Sequence, residues 1–355
     1  MSVTLSSHEY GKIPRRKFLM WSSFLLQLLV TGCLRREEGR GKKDLKPPEK
    51  PSKLPSKAEI YVAKTGDRDV IGQLLQRVSP LKEKKVAIKA NYNSADPFPA
   101  STHPETLKAL VSTLQTRGVN DIVLAERSGM GATRQVLEEM GVYKLSRELG
   151  FNVVVLDELE KDAWIRIPLG GEHWKKGFLL AKIFAERAVI QTCCLKTHRF
   201  GGHFTMSLKN SVGMVAKYDP VDGYNYMREL HRSPHQRKMI AEINTAYSPE
   251  AIVMDALRGF STGGPDTGTL IEPGLLLAGK DRVAMDAVGV ALLRLHGTTR
   301  EVSAGRIFQQ EQIARAVELG LGVQRPEKIK LIPFNKEAEK PCEDIRRILG
   351  GDGSG

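Results

Sequence analysis

Cysteine is scarce in this sequence, and the cysteines present are poorly spaced for binding a metal cluster. Only four occur in 355 residues: Cys33, the adjacent Cys193 and Cys194, and Cys342. No pair has the Cys-x-x-Cys spacing, so we expect neither a thiolate-bound zinc ion nor an iron–sulfur cluster. Cys193 and Cys194 lie late in an apolar run, which predicts buried and inert thiols. Cys342 could form a disulfide only in an oxidising compartment, and the sequence does not name its partner.

Motifs of several common enzyme classes are also missing. No segment ends in the Gly-Lys-Ser or Gly-Lys-Thr of a P-loop, and no Gly-x-Gly-x-x-Gly follows a predicted strand. No His-Glu-x-x-His is present, and we predict no nucleophile elbow with the Ser, His and Asp order of a serine hydrolase. These absences argue against P-loop nucleotide hydrolases, standard dinucleotide-binding domains, zincin metalloproteases and triad hydrolases.

No apolar run reaches the roughly 20 residues that a membrane-spanning helix needs, but a shorter run stands near the front. Arg15 and Arg16 precede it, and Val-Thr-Gly-Cys closes it at Cys33. A charged segment, an apolar segment and small residues, in that order, are typical of an export signal. The paired arginines resemble a twin-arginine signal, and Val-Thr-Gly-Cys resembles a lipobox. We expect export by the twin-arginine machinery, cleavage before Cys33 and attachment to a membrane through lipid on its sulfur.

The basic charge is concentrated outside the expected folded domain. The chain has a formal net charge of +13, and residues 1–57 alone hold 13 basic and 5 acidic side chains. A nucleic-acid-binding protein normally carries its basic surplus on the folded surface that meets phosphates. We therefore expect no nucleic-acid partner. Residues 35–57 contain four prolines and no apolar periodicity, which is typical of a solvated tether.

From residue 59 onward, short β-branched runs alternate with amphipathic segments. This alternation predicts an α/β fold with a mainly parallel, Rossmann-like sheet and helices on both faces, in one lobe or two. Strands are expected at residues 60–63, 85–89, 121–126, 152–156, 188–195, 251–255, 275–278 and 328–332. Helices are expected at residues 70–76, 104–117, 133–140, 144–149, 177–186, 235–247, 284–295 and 307–319. The expected organisation is a signal peptide at 1–32, a lipidated cysteine and tether at 33–57, the α/β domain at 58–333 and a polar C-terminal tail at 334–355.

Four of the predicted strands end in side chains that can carry charge. These are Lys89, Glu126, Lys196 and Asp255. Open parallel sheets bind ligands beyond the carboxyl ends of their strands, so we expect these ends to face one polar site. The alternative is that each strand becomes polar simply because it meets water.

Residues 195–213 form the densest polar cluster, with two lysines, two histidines, an asparagine, several hydroxyl groups and a Gly-Gly pair. Ammonium, hydroxyl and backbone amide groups together suit an anion. His198 is the candidate general acid–base, and Lys196 is the second candidate catalytic residue, because burial and a neighbouring cation would lower its pKa. The same lysines could instead be surface residues in salt bridges.

The predicted ligand-binding set is wider than this cluster. Its members are Lys89, Asn91, His103, Lys209, Asn210, Asp255 and Asp286. For Asp286, the alternative to ligand binding is a role in helix packing. Seven side chains could also ligate a divalent metal, but no metal-site signature joins them and we expect no metal. They are His198, His203, His231, His235, Asp219, Asp222 and Asp255.

Seven short motifs stand in one order over roughly residues 59–332. In this order the sequence resembles the family called domain of unknown function 362 (DUF362). Some members of that family carry ferredoxin-like modules, so the resemblance implies redox chemistry as one possibility, although this chain has no such module. The motifs are Ile-Lys-Ala-Asn at 88–91, Ser-Thr-His-Pro-Glu at 101–105, Leu-Lys-Thr-His at 195–198, Ser-Leu-Lys-Asn at 207–210 with Gly213, Gly-Gly-Pro at 263–265, Gly-Lys-Asp-Arg-Val-Ala-Met-Asp-Ala at 279–287 and Ala-Val-Glu-Leu-Gly-Leu-Gly-Val at 316–323.

Together these observations predict a lipid-anchored, exported α/β protein on the periplasmic or cell-surface side of a membrane. Its expected function is an enzyme-like site for an anionic small molecule or cofactor, whose identity the sequence does not specify. The alternative is a solute-binding or scaffold lipoprotein that uses the same cleft without chemistry. A strongly perturbed pKa in the cleft favours the enzyme, whereas an open, neutral cleft between two hinged lobes favours the binder.

Overall fold

A computed structural model describes residues 56–168 and 172–351 of the chain. The predicted signal peptide at 1–32, the lipidation site Cys33 and nearly all of the tether lie outside the described residues. Those that are described belong to one compact unit, so no second lobe is present among them. Within this part, none of the helices combines the length and the apolar character needed to cross a membrane.

The order of elements alternates strands with helices for most of the chain, as the sequence predicts. The described strands are β1 (Ala58–Lys64), β2 (Lys85–Lys89), β3 (Asp121–Glu126), β4 (Asn152–Val155), β5 (Trp164–Ile167), β6 (Phe178–Ala181), β7 (Ala188–His198), β8 (His203–Thr205), β9 (Pro249–Gly263), β10 (Gly268–Ile271), β11 (Leu275–Gly279) and β12 (Ile329–Pro333). The described helices are α1 (Ile71–Val78), α2 (Pro104–Thr116), α3 (Thr133–Glu139), α4 (Val142–Leu149), α5 (Ile183–Glu186), α6 (Ser207–Asn210), α7 (Tyr226–Arg232), α8 (Gln236–Ile243), α9 (Arg282–Leu295), α10 (Arg300–Ser303), α11 (Glu311–Glu318) and α12 (Glu339–Gly350).

One large, mainly parallel sheet organises the domain, and the predicted fold class is confirmed. Its strand order is β12-β1-β11-β9-β7-β2-β3-β4, with β8 and β10 added at the ends of β7 and β9. β11 pairs antiparallel with both β1 and β9, while the other pairs along this path are parallel. The central strands β7, β2 and β3 are neighbours, so their carboxyl ends meet at one edge.

The sheet is buried on both faces, as expected for parallel strands that alternate with helices. In β9, Ile252 and Met254 pack into the core under α9, α11 and α12, whereas Ala251 and Val253 pack under α1 and α2. This alternation follows from the two-residue period of a strand. A third cluster around Trp174 lies beneath α7, α8 and the small antiparallel sheet of β5 and β6.

Two predictions of local structure are wrong, and both errors have a physical reason. Residues 177–186 were expected to form one helix, but β6 occupies the first part and only the four-residue α5 is helical. The Phe-Leu-Leu-Ala stretch of β6 is buried throughout, and periodicity cannot separate a fully buried strand from a buried helix segment.

The C-terminal segment expected as a polar tail instead continues the fold in its described part. Helix α12 buries Cys342, Ile345, Ile348 and Leu349 against the core that contains α9. These apolar residues recur at helical spacing among charged neighbours, so the helix is amphipathic. The folded domain therefore extends beyond residue 333.

Candidate functional site

A cavity of about 410 Å³ opens where β2, β3 and β7 end. Its walls bring together residues from β2, the loop after it, β7 and α6, as the strand-end pattern predicts. Lys196 and His198 share a face of β7, because side chains two residues apart in a strand point the same way. Six of the predicted residues line this cavity: Lys89, Asn91, Lys196, His198, Lys209 and Asn210.

Lys89 forms a buried ion pair at the base of the cavity. Its Nζ lies 2.6 Å from Glu126 Oε1 and 3.2 Å from Asn210 Oδ1, and both members of the pair are at most 2% exposed. Burial lowers the pKa of Lys89 and raises the pKa of Glu126, while the contact between them favours both charged forms. A Cβ on Gly213 would lie 2.7 Å from Lys89 Cε. Any residue other than glycine at this position would therefore push the Lys89 side chain away.

Lys196 is buried beneath the loop that follows β2. Its ammonium group donates a hydrogen bond to the carbonyl of Ala100, which also receives one from Asn91 Nδ2 at 3.4 Å. Asn91 and Thr102 exchange two further bonds of 2.9 Å across the base of this loop. Burial lowers the pKa of Lys196, because no carboxylate within the described residues pairs with its charge.

Lys209 and His198 approach each other across Gly202. A Cβ at Gly202 would lie 2.8 Å from His198 Nδ1 and 3.0 Å from Lys209 Cε. Burial, with the cations Lys196 and Arg127 nearby, lowers the pKa of Lys209 to about 7. Burial and the nearby lysines lower the pKa of His198 far below its usual range, so its imidazole is neutral at physiological pH. Its Nδ1 is buried and has no hydrogen-bond partner among the described residues.

Arg127 is a site residue that the sequence predictions missed. It is 4% exposed, and its guanidinium donates to the carbonyls of Val215 at 2.8 Å and Val212 at 2.7 Å. Glu126, noted only as a strand end, is the sole carboxylate among the described residues that line the cavity, and Lys89 already pairs with it. The cations around the cavity are Lys89, Arg127, Lys196, Lys209, Lys217, Arg228 and Arg232.

One family matches the part of the chain that contains this cavity. The family described as Domain of unknown function (DUF362) matches residues 86–291, which is more than half of the chain. This protein belongs to the DUF362 family. The match contains the six cavity-lining residues predicted from the sequence, whereas the predicted motif at 316–323 lies beyond it. A search of curated proteins finds no match.

Two residues of the DUF362 match do not line this cavity, although we expected them there. His103 is the N-cap of α2, and its Nδ1 accepts the backbone N–H of Glu105 at 3.1 Å. Asp255 is 1% exposed and accepts from Thr106 Oγ1 at 2.6 Å and Arg68 Nε at 2.8 Å. The structure therefore does not bring His103 and Asp255 to this cavity, and each is held in a contact within the fold.

Asp286 also lies away from the cavity, but it supports one of the elements that line it. Its carboxylate is fully buried and accepts the backbone N–H groups of Ser207 at 2.8 Å and Leu208 at 3.2 Å. These groups begin α6, which carries Lys209 and Asn210. Burial raises the pKa of Asp286 to about 7. Asp286 thus has the helix-packing role that was the alternative, and it positions the DUF362 site rather than lining it.

The candidate metal ligands do not assemble into a set within residues 56–168 and 172–351. No three His, Cys, Asp or Glu side chains there are placed to share an ion. His198 and His231 line the cavity, whereas the ring of His235 packs against that of His173 with centroids 4.7 Å apart.

The cysteines of the described part are free thiols. Cys193 and Cys194 are buried, as predicted, and burial raises the pKa of Cys194 to about 11. Cys342 is also a free, buried thiol that packs within the core of α9 and α12.

One serine has the Gly-x-Ser-x-Gly spacing of a nucleophile elbow, although we predicted no such elbow. Ser261, flanked by Gly259 and Gly263, lies inside β9. A nucleophile elbow needs a sharp turn between a strand and a helix. Ser261 is 2% exposed within a continuous strand, so this geometry does not present it as a nucleophile.

Proposed function

We propose that the protein binds an anionic small molecule in the cavity at the ends of β2, β3 and β7 and carries out acid–base chemistry on it. One observation carries the proposal: lysines from separate elements line a single cavity whose only described carboxylate is already paired. Lys196 and Arg127 contribute buried positive charge, and neither forms a salt bridge with a carboxylate of the described residues. Buried cations outside salt bridges attract an anion more strongly than exposed ones, because water screens them less.

The proton-transfer part of the proposal rests on Lys209 and His198. A group is most effective in acid–base catalysis when its pKa lies near the working pH, and the pKa of Lys209 is lowered to about 7. His198 is neutral and has an unpartnered Nδ1 next to Lys209. The pair therefore offers one group that can exchange a proton near pH 7 and one that can accept or donate a hydrogen bond.

A solute-binding or scaffold role without chemistry is the second candidate. That role would fit an open cleft between two hinged lobes with ordinary pKa values. The described residues form one compact unit, and shifted pKa values occur on several cavity residues. Shifted values of this kind concentrate at catalytic sites, so enzymatic chemistry, including work on an anionic redox cofactor, is the preferred proposal.

Anion binding can be tested by thermal unfolding at constant ionic strength. The probes are acetate, malonate, citrate, phosphate and pyrophosphate, with the variants Lys196→Met and Lys209→Met. At least one probe should raise the Tm of the wild type by several degrees, because a ligand at 100 times its Kd adds about 2.7 kcal/mol. Each variant should lose most of that shift.

The control for this experiment is Lys108→Met, which removes an exposed lysine of α2 that is 52% accessible and lies in a surface pair. It should respond to anions as the wild type does. Equal shifts in Lys108→Met, Lys196→Met and Lys209→Met would mean a general ion effect. Either that result or no shift with any probe would contradict the proposed anion site.

We further propose that the protein is exported by the twin-arginine machinery and anchored through lipid on Cys33, facing the periplasm or the cell surface. In the expected outcome, Cys33→Ser moves the protein from the membrane fraction to the soluble exported fraction, since the sulfur that carries the lipid is gone. Fractionation with immunoblotting measures this. Ser23→Ala, in the same apolar run, should stay with the membrane. Unchanged membrane association of Cys33→Ser would rule out the lipobox.

A further inference from the structure

Lys209 differs from Lys89 and Lys196 in having no ion-pair or hydrogen-bond partner among the described residues. Lys89 is paired with Glu126, and Lys196 donates to the Ala100 carbonyl. No described carboxylate or hydrogen-bond acceptor engages Lys209 Nζ, and the charged groups that act on it most strongly are the cations Lys196 and Arg127. Its amine therefore lies in the cavity free to contact a ligand.

The surroundings of Lys209 favour the uncharged amine. Burial penalises the ammonium form, and two neighbouring cations repel it, which together lower its pKa to about 7. An uncharged lysine amine is a nucleophile, and desolvation beside a second cation is one of the ways in which proteins activate lysine for attack on carbonyl carbon. Ordinary surface lysines are almost wholly protonated at the same pH.

His198 supplies a hydrogen-bond acceptor that can orient the amine for such an attack. Its side chain is 6% exposed, and its Nδ1 has no partner among the described residues although it is buried. The point that a Cβ on Gly202 would occupy lies 2.8 Å from this nitrogen and 3.0 Å from Lys209 Cε. The neutral imidazole and the amine thus reach the same small region of the cavity.

We propose that Lys209 forms an imine with a carbonyl-bearing anion, such as a small carboxylate or phosphate ester that also carries an aldehyde or ketone. This inference rests on the proposed anion-binding function and names its substrate class. Lys196 and Arg127 hold the anionic group, which places the carbonyl carbon beside Lys209 Nζ. The carbonyl group, rather than the charge alone, then distinguishes substrates from other anions.

The proposed step balances without an oxidant or reductant. The nitrogen lone pair of Lys209 forms a bond to the carbonyl carbon as the carbon–oxygen π bond breaks, and the oxygen takes up the first of the two amine protons. The second amine proton then passes to the resulting hydroxyl group, while His198 Nδ1 accepts a hydrogen bond that orients the nitrogen. Water then leaves as the carbon–nitrogen double bond forms. Amine and carbonyl are converted to imine and water.

Reductive trapping of the full chain tests this proposal. Glyoxylate, which carries a carboxylate and an aldehyde, is added with cyanoborohydride at pH 7, and peptide mass mapping locates the reduced adduct. Lys209 should be modified at least about tenfold faster than any exposed lysine, because its amine is far less protonated than theirs. Malonate, an anion with no aldehyde, should slow the reaction by competing for the same cations.

Matched variants separate this outcome from non-specific labelling. Lys108→Arg changes an exposed lysine of α2 outside the cavity and should leave the fast modification intact, whereas Lys209→Arg should abolish it. His198→Gln should slow trapping while Lys209 remains present. Labelling spread evenly over many lysines, or unchanged in Lys209→Arg, would overturn the imine.

If malonate stabilises the wild type but Lys209 is not trapped, only the imine proposal fails; if neither occurs, anion binding fails as well.

Discussion

Replacing Lys89 with methionine is expected to lower the free energy of unfolding by about 3–5 kcal/mol, since removing one partner leaves the other charge buried without compensation. The partner here is Glu126, which is 1% exposed and 2.6 Å from Lys89 Nζ. Burial raises the pKa of Glu126, and contact with Lys89 opposes that rise. Loss of Lys89 therefore forces the carboxyl group either to bind a proton or to remain charged in the core.

Urea unfolding at pH 7 measures this effect in Lys89→Met, in Glu126→Gln and in the double variant. The double variant should lose less stability than the sum of the two single variants, because it leaves neither charge unpaired. Lys280→Met provides the control, since it breaks an exposed pair with Glu250 at 2.8 Å and should cost about 0–1 kcal/mol. A cost for Lys89→Met as small as this control would show that the pair does not hold the site together.

The second large effect is the pH dependence of trapping at Lys209. Only the unprotonated amine reacts, so its rate should rise about tenfold per pH unit up to pH 7 and then level off. The cations Lys196 and Arg127 hold its pKa down, and burial contributes most. His198 and His231 also face this region; burial lowers the pKa of His231, and the strongly lowered pKa of His198 keeps its imidazole uncharged through the rise.

Nα-acetyl-lysine in the same solution serves as the reference, because its free amine has a pKa of about 10.4. The ratio of Lys209 trapping to reference trapping should be constant below pH 7 and should fall about tenfold per unit between pH 8 and 10. Because both amines react with the same reducing agent, the ratio cancels the pH dependence of that agent's reactivity. In Arg127→Met the fall should begin at higher pH, since one repelling cation is gone. A ratio that stays constant to pH 10 would mean that Lys209 has an ordinary pKa.

Local sequence patterns predicted the central strands well. The bounds of β2 and β3 were predicted to the residue, because each is a short apolar run with charged residues at its ends. The strand-end pattern also brought together Lys89, Lys196 and Glu126, which do line one cavity. That success has a geometric cause: the parallel strands β7, β2 and β3 are adjacent and end at the same edge of the sheet.

The same reasoning could not separate residues at the site from polar residues that hold the fold. Asp255 also ends an apolar run and looked equivalent to Glu126, yet it binds Arg68 and Thr106 away from the cavity. Arg127 offered no pattern of its own, because its role depends on the carbonyl groups of a segment far away in sequence. The position of a residue along the chain does not reveal its partner.

By itself, the sequence determined the α/β fold class, the order of its central elements and six of the residues that line the cavity, since these follow from periodicity and from the rule that parallel strands bind ligands at their carboxyl ends. Tertiary structure alone decided that Lys89 forms an ion pair, that Lys196 donates to a backbone carbonyl and that Lys209 has neither kind of partner among the described residues. Those states depend on contacts between segments distant in the chain, such as Lys89 with Glu126 and Lys196 with Ala100. The burial that lowers the pKa of Lys209 likewise exists only once β7, α6 and the loop after β2 have packed together.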